Sequence, residues 1–263
     1  LTMPFTKKVI CLMGPTATGK TETAIFLTER LPLSIISVDS ALVYQGMDIG
    51  TAKPDRNTLQ NYPHALVDII TPLERYSAAH FRNDAKAAIE TAFNNKKIPL
   101  LVGGTFLYFR ALLEGISPIP ATPIELQTKL TAELKHLGAE ALHHRLQLVD
   151  PRSAARIKPQ DHQRIIRALA VYEVSGKTLS YFWQLPKKEP LPYPYLKIAL
   201  QNPRTEERNQ QIAKRYQQMI QMGLVTEVQT LIKRYPTLSL DYPSMRAVGY
   251  RQIYSYLKEE LSL

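Results

Sequence analysis

The chain has 263 residues, 44% of them hydrophobic and 21% charged, enough to bury a real core and too apolar for a disordered chain. Its net charge of +10 is not gathered into a tail, so folded surfaces carry a bias toward polyanions: nucleic acid, anionic membrane or phosphorylated substrates. One cysteine excludes an internal disulfide; with no apolar run near the ~20 residues of a bilayer span and no signal-peptide pattern, a cytoplasmic enzyme without a membrane partner is expected.

The first apolar run, VICLM at 9–13, predicts a buried parallel strand and holds Cys11 as a small hydrophobe. It leads straight into GPTATGKT, that is Gly14, Pro15, Thr16, Ala17, Thr18, Gly19, Lys20 and Thr21. This spacing builds a phosphate loop (P-loop) whose backbone N–H groups point at phosphate oxygens. Lys20 would put a point charge on the terminal phosphates, and Thr21 a hydroxyl on Mg²⁺. Most chains with the motif bind ATP or GTP. A strand before it and a helix over 21–31 after it argue against a chance glycine turn.

Further strands are predicted at SIISV 34–38, IPLLV 98–102 and LKIAL 196–200, all as buried runs, and more weakly at HALVDII 64–70. A helix is predicted over 77–94. Strand–helix alternation gives an α/β fold with a P-loop NTPase-like parallel sheet. The alternation breaks at ISPIPATP near Ser117, where helical patterns over 124–148 and 160–175 begin, and a second proline cluster, LPKKEPLPYPY, ends them. The organisation expected is a discontinuous core, 1–116 plus 195–263, with an all-helical insertion over 117–194. Helices near 204–222, 224–234 and 243–258 complete the core.

Asp39 follows the strand at 34–38, at a carboxyl end where ligands of open α/β sheets bind. There it could hold Mg²⁺ or accept a proton; a turn or cap residue is the plainer reading of Asp-Ser. Thr105 follows the Gly-Gly turn after IPLLV, as a helix N-cap or a site hydroxyl. That strand ends without the acid that many P-loop NTPases place there for magnesium, which argues against ordinary ATP hydrolysis. In TEERNQQIAKRYQQMIQMG, Arg215 lies on the edge of an apolar face made by Ile212, Tyr216, Met219 and Ile220. It either meets an anion or snorkels. In the insertion, Asp161 is a predicted N-cap and Gly176 a stop, with Ile165, Ile166, Leu169 and Tyr172 on the apolar side. Gln163, Arg164 and Arg167 crowd its first two turns, where the helix dipole disfavours cations. They form an anion contact or a solvated face, as do Arg246 and Arg251 in MRAVGYRQ. His143, His144 and Trp183 read as structural or surface, and no zinc or Ser-His-Asp pattern is present.

Taken together, GPTATGKT, ISVDSALVYQGMDIGTAKP, PLLVGGTFLYFRALLEG, DPRSAARI, RALAVYEVSGKTLS and MRAVGYRQ closely resemble the bacterial tRNA dimethylallyltransferase family. The resemblance implies transfer of a dimethylallyl group from its diphosphate to N6 of the adenosine 3′ of the anticodon. It implies a P-loop core with an inserted helical domain that grips the anticodon stem-loop. Lys20, Thr21 and Arg215 would hold the diphosphate with Mg²⁺, Asp39 would take the N6 proton, and Thr105 would stand near the bridging oxygen. Asp39, Ser40, Ala41 and Leu42 match one tRNA-contact segment; Gln163, Arg164, Ile165, Ile166 and Arg167 match a second; the block holding Arg246 and Arg251 matches a third. Family members continue into a basic helical segment beyond the position of Leu263, and Gln211 stands where a second Arg is common. A monomer is expected. The alternative is a small-molecule kinase that uses the loop for ATP, with Asp39 activating a hydroxyl; the missing acid, the insertion and the charge favour the transferase. A catalytically silent RNA-binding protein fits poorly with an intact Lys20, Asp39 and Thr105.

Overall fold

The structure, a computed structural model, describes residues 6–187, 189–201 and 205–258. Strands β1 (Val9–Met13), β2 (Leu33–Val38), β3 (His64–Ala65), β4 (Ile98–Gly103) and β5 (Tyr195–Ala199) form one parallel sheet in the order β3-β2-β4-β1-β5. Three of them are the near-continuous apolar runs that a strand covered on both faces requires. Helix α1 (Lys20–Thr28) leads from β1 to β2 on one side of β1. The chain leaving β4 ends at β5 on the other side. The crossovers therefore diverge between β1 and β4, which opens a crevice at their carboxyl ends.

The sheet buries two cores. One face holds Leu12, Leu33, Ile35, Leu100 and Val102 with Ala24 of α1. The other holds Val9, Cys11, Ile36, Val38 and Leu101 under α3 (Ala78–Asn94) and α4 (Phe106–Leu113). Between β2 and β3 the chain makes a long excursion that includes α2 (Arg56–Asn61). A third core packs Val43, Tyr44 and Met47 of that excursion against the C-terminal helices. These are α10 (Thr205–Gln221), α11 (Leu224–Arg234) and α12 (Tyr250–Leu257).

Two strand expectations are corrected. β5 is an edge strand with one neighbour, so it is largely exposed rather than buried, with Leu196 57% exposed. Only His64 and Ala65 of the run at 64–70 pair as a strand, because Leu66 (φ 65°) and Asp68 (φ 55°) turn left-handed and break the ladder. The helix expected over 243–258 splits into a 3₁₀ turn, Pro243–Arg246, and α12, at Gly249 (φ 93°).

The chain divides into one unit of residues 1–113 and 191–263 and a second of Glu114–Pro190. The insertion so defined starts three residues before 117 and ends four before 194, since Leu191 already packs in the core and its N–H donates to Leu113 O at 3.4 Å. The second unit is all-helical: α5 (Ile124–Leu137), α6 (Ala139–Val149), α7 (Pro151–Ala154), α8 (His162–Ser175) and α9 (Leu179–Gln184). Its core gathers Leu130, Leu142, Leu146, Ile157, Ile165 and Leu169. Gly138 (φ 86°) divides the single pattern at 124–148 into α5 and α6. No helix among the described residues is long and apolar enough to cross a membrane.

Candidate active site

The loop after β1 is shaped by its backbone. Gly14 lies so close to β5's exit that a Cβ there would stand 2.5 Å from Leu200 O. Ala17 (φ 63°) and Gly19 (φ 76°) are both left-handed, an alternation that turns successive N–H groups inward as an anion nest. Thr18 Oγ1 donates to Pro15 O at 2.9 Å, and the Lys20 ammonium folds back onto the same carbonyl. Lys20 starts α1 and is half-buried. Burial lowers its pKa; the Asp39 carboxylate opposes the shift, and the Arg215 guanidinium adds to it. One electrostatic cluster therefore contains the loop lysine, the residue after β2 and a cation from α10.

Asp39 has the turn role that the sequence offered it. Its Oδ1 accepts from Ala41 N–H at 2.8 Å and Leu42 N–H at 3.3 Å, which folds the turn and leaves the second carboxylate oxygen for other work. Tyr108 lies near it, and Tyr44 near Tyr108. Burial first, then Tyr44 and Asp39, push the Tyr108 phenol up, so it stays a neutral donor. Thr105 does not cap its own helix with its side chain. Its Oγ1 accepts from Ser40 N–H at 3.1 Å, and its N–H donates to Val38 O at 3.2 Å. The hydroxyl is thus fixed beside Asp39's neighbour, 65 residues away in sequence.

Arg215 is half-buried on α10, beside Tyr216 and the buried Met219, as the helical spacing predicts; Ile220 is 37% exposed and lies off that face. Arg246 and Arg251 are exposed, and the Arg246 guanidinium reaches Asp241 O at 3.5 Å. Cys11 is fully buried and its thiol is pushed up to about 12 by that burial, so it has no nucleophilic role.

In the insertion, Asp161 caps α8 by accepting from Arg164 N–H, and Gly176 ends it in a left-handed turn. Of the segment at 163–167, Ile165 is fully buried and Ile166 half-buried in the unit's own core. Arg167 donates to Pro120 O at 3.0 Å and Thr122 Oγ1 at 2.8 Å, and burial lowers its pKa. Gln163 and Arg164 are exposed and, with Arg156, Lys158, Asp161 and His162, line a cleft of about 560 Å³. Tyr172, expected on the apolar side, is 38% exposed. His143 is structural: its Nε2 lies 2.7 Å from Ile157 O.

The donors fit a Mg²⁺ that arrives with a diphosphate. Such an ion keeps water and phosphate oxygens and asks little of the protein. Thr21 offers a hydroxyl at the loop's end. The Ser37 hydroxyl is buried with no partner among the described residues, on the β2 face that packs toward α1. Among the described residues no group of three or more His, Cys, Asp or Glu forms a self-sufficient metal cage. Ser37 escaped the sequence reading, although a lone polar residue in SIISV was its signal.

The sequence model described as IPP transferase matches residues 42–263, and that described as Isopentenyl transferase matches residues 7–69. "tRNA dimethylallyltransferase 2" of Hahella chejuensis (strain KCTC 2396) is 47% identical, with 95% of this chain and 79% of the relative covered. "tRNA dimethylallyltransferase" of Thioalkalivibrio sulfidiphilus (strain HL-EbGR7) is 50% identical, covering 98% and 80%. Among solved structures, the tRNA isopentenylpyrophosphate transferase of Bacillus halodurans superposes with a TM-score of 0.64 at 33% identity, covering 98% of this chain and 79% of that one. A eukaryotic dimethylallyltransferase acting on tRNA gives 0.76 at 25% identity, covering 97% and 64%.

Proposed function

The chain belongs to the IPP transferase family and modifies tRNA by prenyl transfer, and from that premise we propose the chemistry of each site residue. The group moved is dimethylallyl, from its diphosphate to N6 of the adenosine 3′ of the anticodon. One observation carries this reading: Lys20, Asp39 and Arg215 share one electrostatic cluster at the carboxyl end of the sheet. Two cations there suit a departing diphosphate, and one carboxylate suits an incoming amine.

An adenine amino group is a weak nucleophile because its lone pair is delocalised into the ring. As the N6–C bond forms and the C–O bond to the diphosphate breaks, Asp39 takes the N6 proton through its oxygen not used in the turn. The loop amides, Lys20 and Arg215 meet the charge that develops on the leaving group. Thr105 Oγ1, which accepts from Ser40 N–H, would stand near the bridging oxygen. Thr21, and the Ser37 hydroxyl that has no partner among the described residues, would hold a Mg²⁺ that supplies positive charge to the diphosphate when bound. The target base leaves its stack at a cost of about a few kcal/mol, less in a loop than in a duplex. Gln163, Arg164, Arg246 and Arg251 serve tRNA backbone contacts, which position the stem without reading much sequence. A monomer is proposed as the acting unit.

The test incubates the protein with labelled dimethylallyl diphosphate and unmodified tRNA, and in parallel with ATP and candidate acceptors. Label in tRNA supports the reading. ATP turnover without label in tRNA replaces it by the kinase.

A further inference from the structure

The third core contains a joint outside the substrate-facing residues. Glu227, in the first turn of α11, spends its whole carboxylate on a turn about 180 residues away in sequence. Its Oε2 accepts from Asp48 N–H at 3.0 Å and Ile49 N–H at 2.8 Å, and its Oε1 accepts from Gly50 N–H at 3.3 Å. Tyr250, fully buried at the start of α12, donates its phenol to the same Oε1. Four donors saturate one carboxylate. Burial first, and then the Glu227 charge, push the Tyr250 phenol far above its ordinary range, so it stays a donor at every working pH.

The contact leaves no slack. A Cβ on Gly50 would stand 2.5 Å from the Tyr250 ring and 2.8 Å from Leu224 Cδ1, so the turn is seated directly on α11 and α12. On its other side, Lys53, whose side chain is 3% exposed, ties the turn to Tyr44 O at 2.9 Å, to Asp48 at 2.7 Å and to Asp68. The stretch from 39 to 53 thus begins at the Asp39 turn and is pinned at its far end by Glu227. The helices that hold Glu227 and Tyr250 share a core with Tyr216 and Met219, the neighbours of Arg215 on α10.

We infer that Glu227 and Tyr250 are positioning residues that register the Asp39 turn against the helix carrying Arg215. Neither touches the reacting atoms. The carboxylate fixes three amides of one segment to the helices of the other, so proton acceptor and diphosphate cation keep one spacing. The loop amides and Lys20, which bind the diphosphate together with Arg215, lie in the segment after β1. Loss of the joint therefore lowers turnover more than diphosphate binding.

This inference rests on the prenyl-transfer reading, and the experiment separates the two. Wild-type transfer to tRNA is the control for that reading. Tyr250→Phe keeps the ring under Gly50 and removes one donor; Glu227→Gln keeps the shape and replaces two acceptors by one. For both, kcat falls by ~10–100-fold, as expected for misplacement on the ångström scale. Pyrophosphate affinity by calorimetry falls much less than kcat, because the loop amides and Lys20 still bind it and only the Arg215 contact is displaced. Glu227→Asp, which keeps the charge but shortens the reach, recovers less than half of the loss. Unchanged kcat in Tyr250→Phe and Glu227→Gln overturns the inference, as does an equal loss of pyrophosphate binding and turnover, which marks general unfolding. Wild type that folds normally but transfers nothing to tRNA overturns the prenyl-transfer reading, and with it the inference that rests on it.

Discussion

Replacing Asp39 by Asn and by Ala separates the two roles of its carboxylate. Oδ1 accepts from Ala41 N–H at 2.8 Å and Leu42 N–H at 3.3 Å; an Asn oxygen keeps both bonds and Ala keeps neither. At a net ~0.5–1.5 kcal/mol each, Asp39→Ala loses about 1–3 kcal/mol of stability and Asp39→Asn under about 1 kcal/mol. Neither variant accepts a proton, so both lose the general-base contribution of ~10²–10⁴-fold in transfer rate. That is ~2.7–5.4 kcal/mol of barrier.

Binding behaves differently. Removing a negative charge from the Lys20–Arg215 cluster relieves repulsion toward a diphosphate, so pyrophosphate affinity in Mg²⁺ is kept or increased. The assays are single-turnover transfer of labelled dimethylallyl to tRNA, urea unfolding, and calorimetry with pyrophosphate. Transfer by Asp39→Asn within ~3-fold of wild type refutes the base. Equal destabilisation of the Asn and Ala variants refutes the turn role.

Lys20→Ala removes a charge-assisted contact of ~1.5–3 kcal/mol and weakens pyrophosphate binding by ~10–150-fold in calorimetry. Because burial lowers the Lys20 pKa, wild-type pyrophosphate affinity falls as pH rises through that depressed value, earlier than for an ordinary lysine. Lys20→Arg, which stays charged, loses that alkaline limb; its persistence would assign the limb to another group. Arg164→Ala leaves stability unchanged and lowers the salt slope of tRNA binding by ~1, whereas Arg167→Ala destabilises the insertion through its lost bonds to Pro120 and Thr122; filter binding and thermal melts distinguish them, and the opposite assignment disproves it. Gly103→Ala costs about 4 kcal/mol or more, or abolishes soluble expression, because the Cβ would lie 2.0 Å from Val38 O, and no side chain can rotate away from a backbone clash. Normal soluble yield and a wild-type urea midpoint would show that β2 and β4 can separate.

The strands at 9–13, 34–38 and 98–102 were legible because parallel strands covered on both faces read as unbroken apolar runs. The phosphate loop was legible because its parts are contiguous, and Arg215 because helical spacing fixes which edge it occupies. Contacts across long sequence separations were not. Nothing in TEVQTL announces that Glu227 takes the amides of Asp48, Ile49 and Gly50. The left-handed Leu66 and Asp68, which cut β3 short, carry no glycine signal. Arg167 reads as an anion contact or a solvated face in sequence because its partners, Pro120 and Thr122, lie in the proline stretch that sequence patterns leave without a fold.

One backbone constraint links the absent magnesium acid after β4 to the position of Thr105. Gly103 pairs with Val38 at the top of the sheet, and its missing Cβ lets Val38 O come within 2.0 Å of where one would be. Position 103 therefore carries no side chain of any kind, acidic or otherwise. Gly104 is also confined, with Gly14 O 3.1 Å from its own would-be Cβ. The first side chain that can enter the crevice from β4 is Thr105, and its N–H is held by the same Val38 O. β2 then supplies the carboxylate, as Asp39 one residue beyond Val38, with Ser40 joining the two strand ends through Thr105. Close approach of two strands thus replaces an acid after β4 by a hydroxyl and leaves the carboxylate after β2, the arrangement that the proposed prenyl transfer uses.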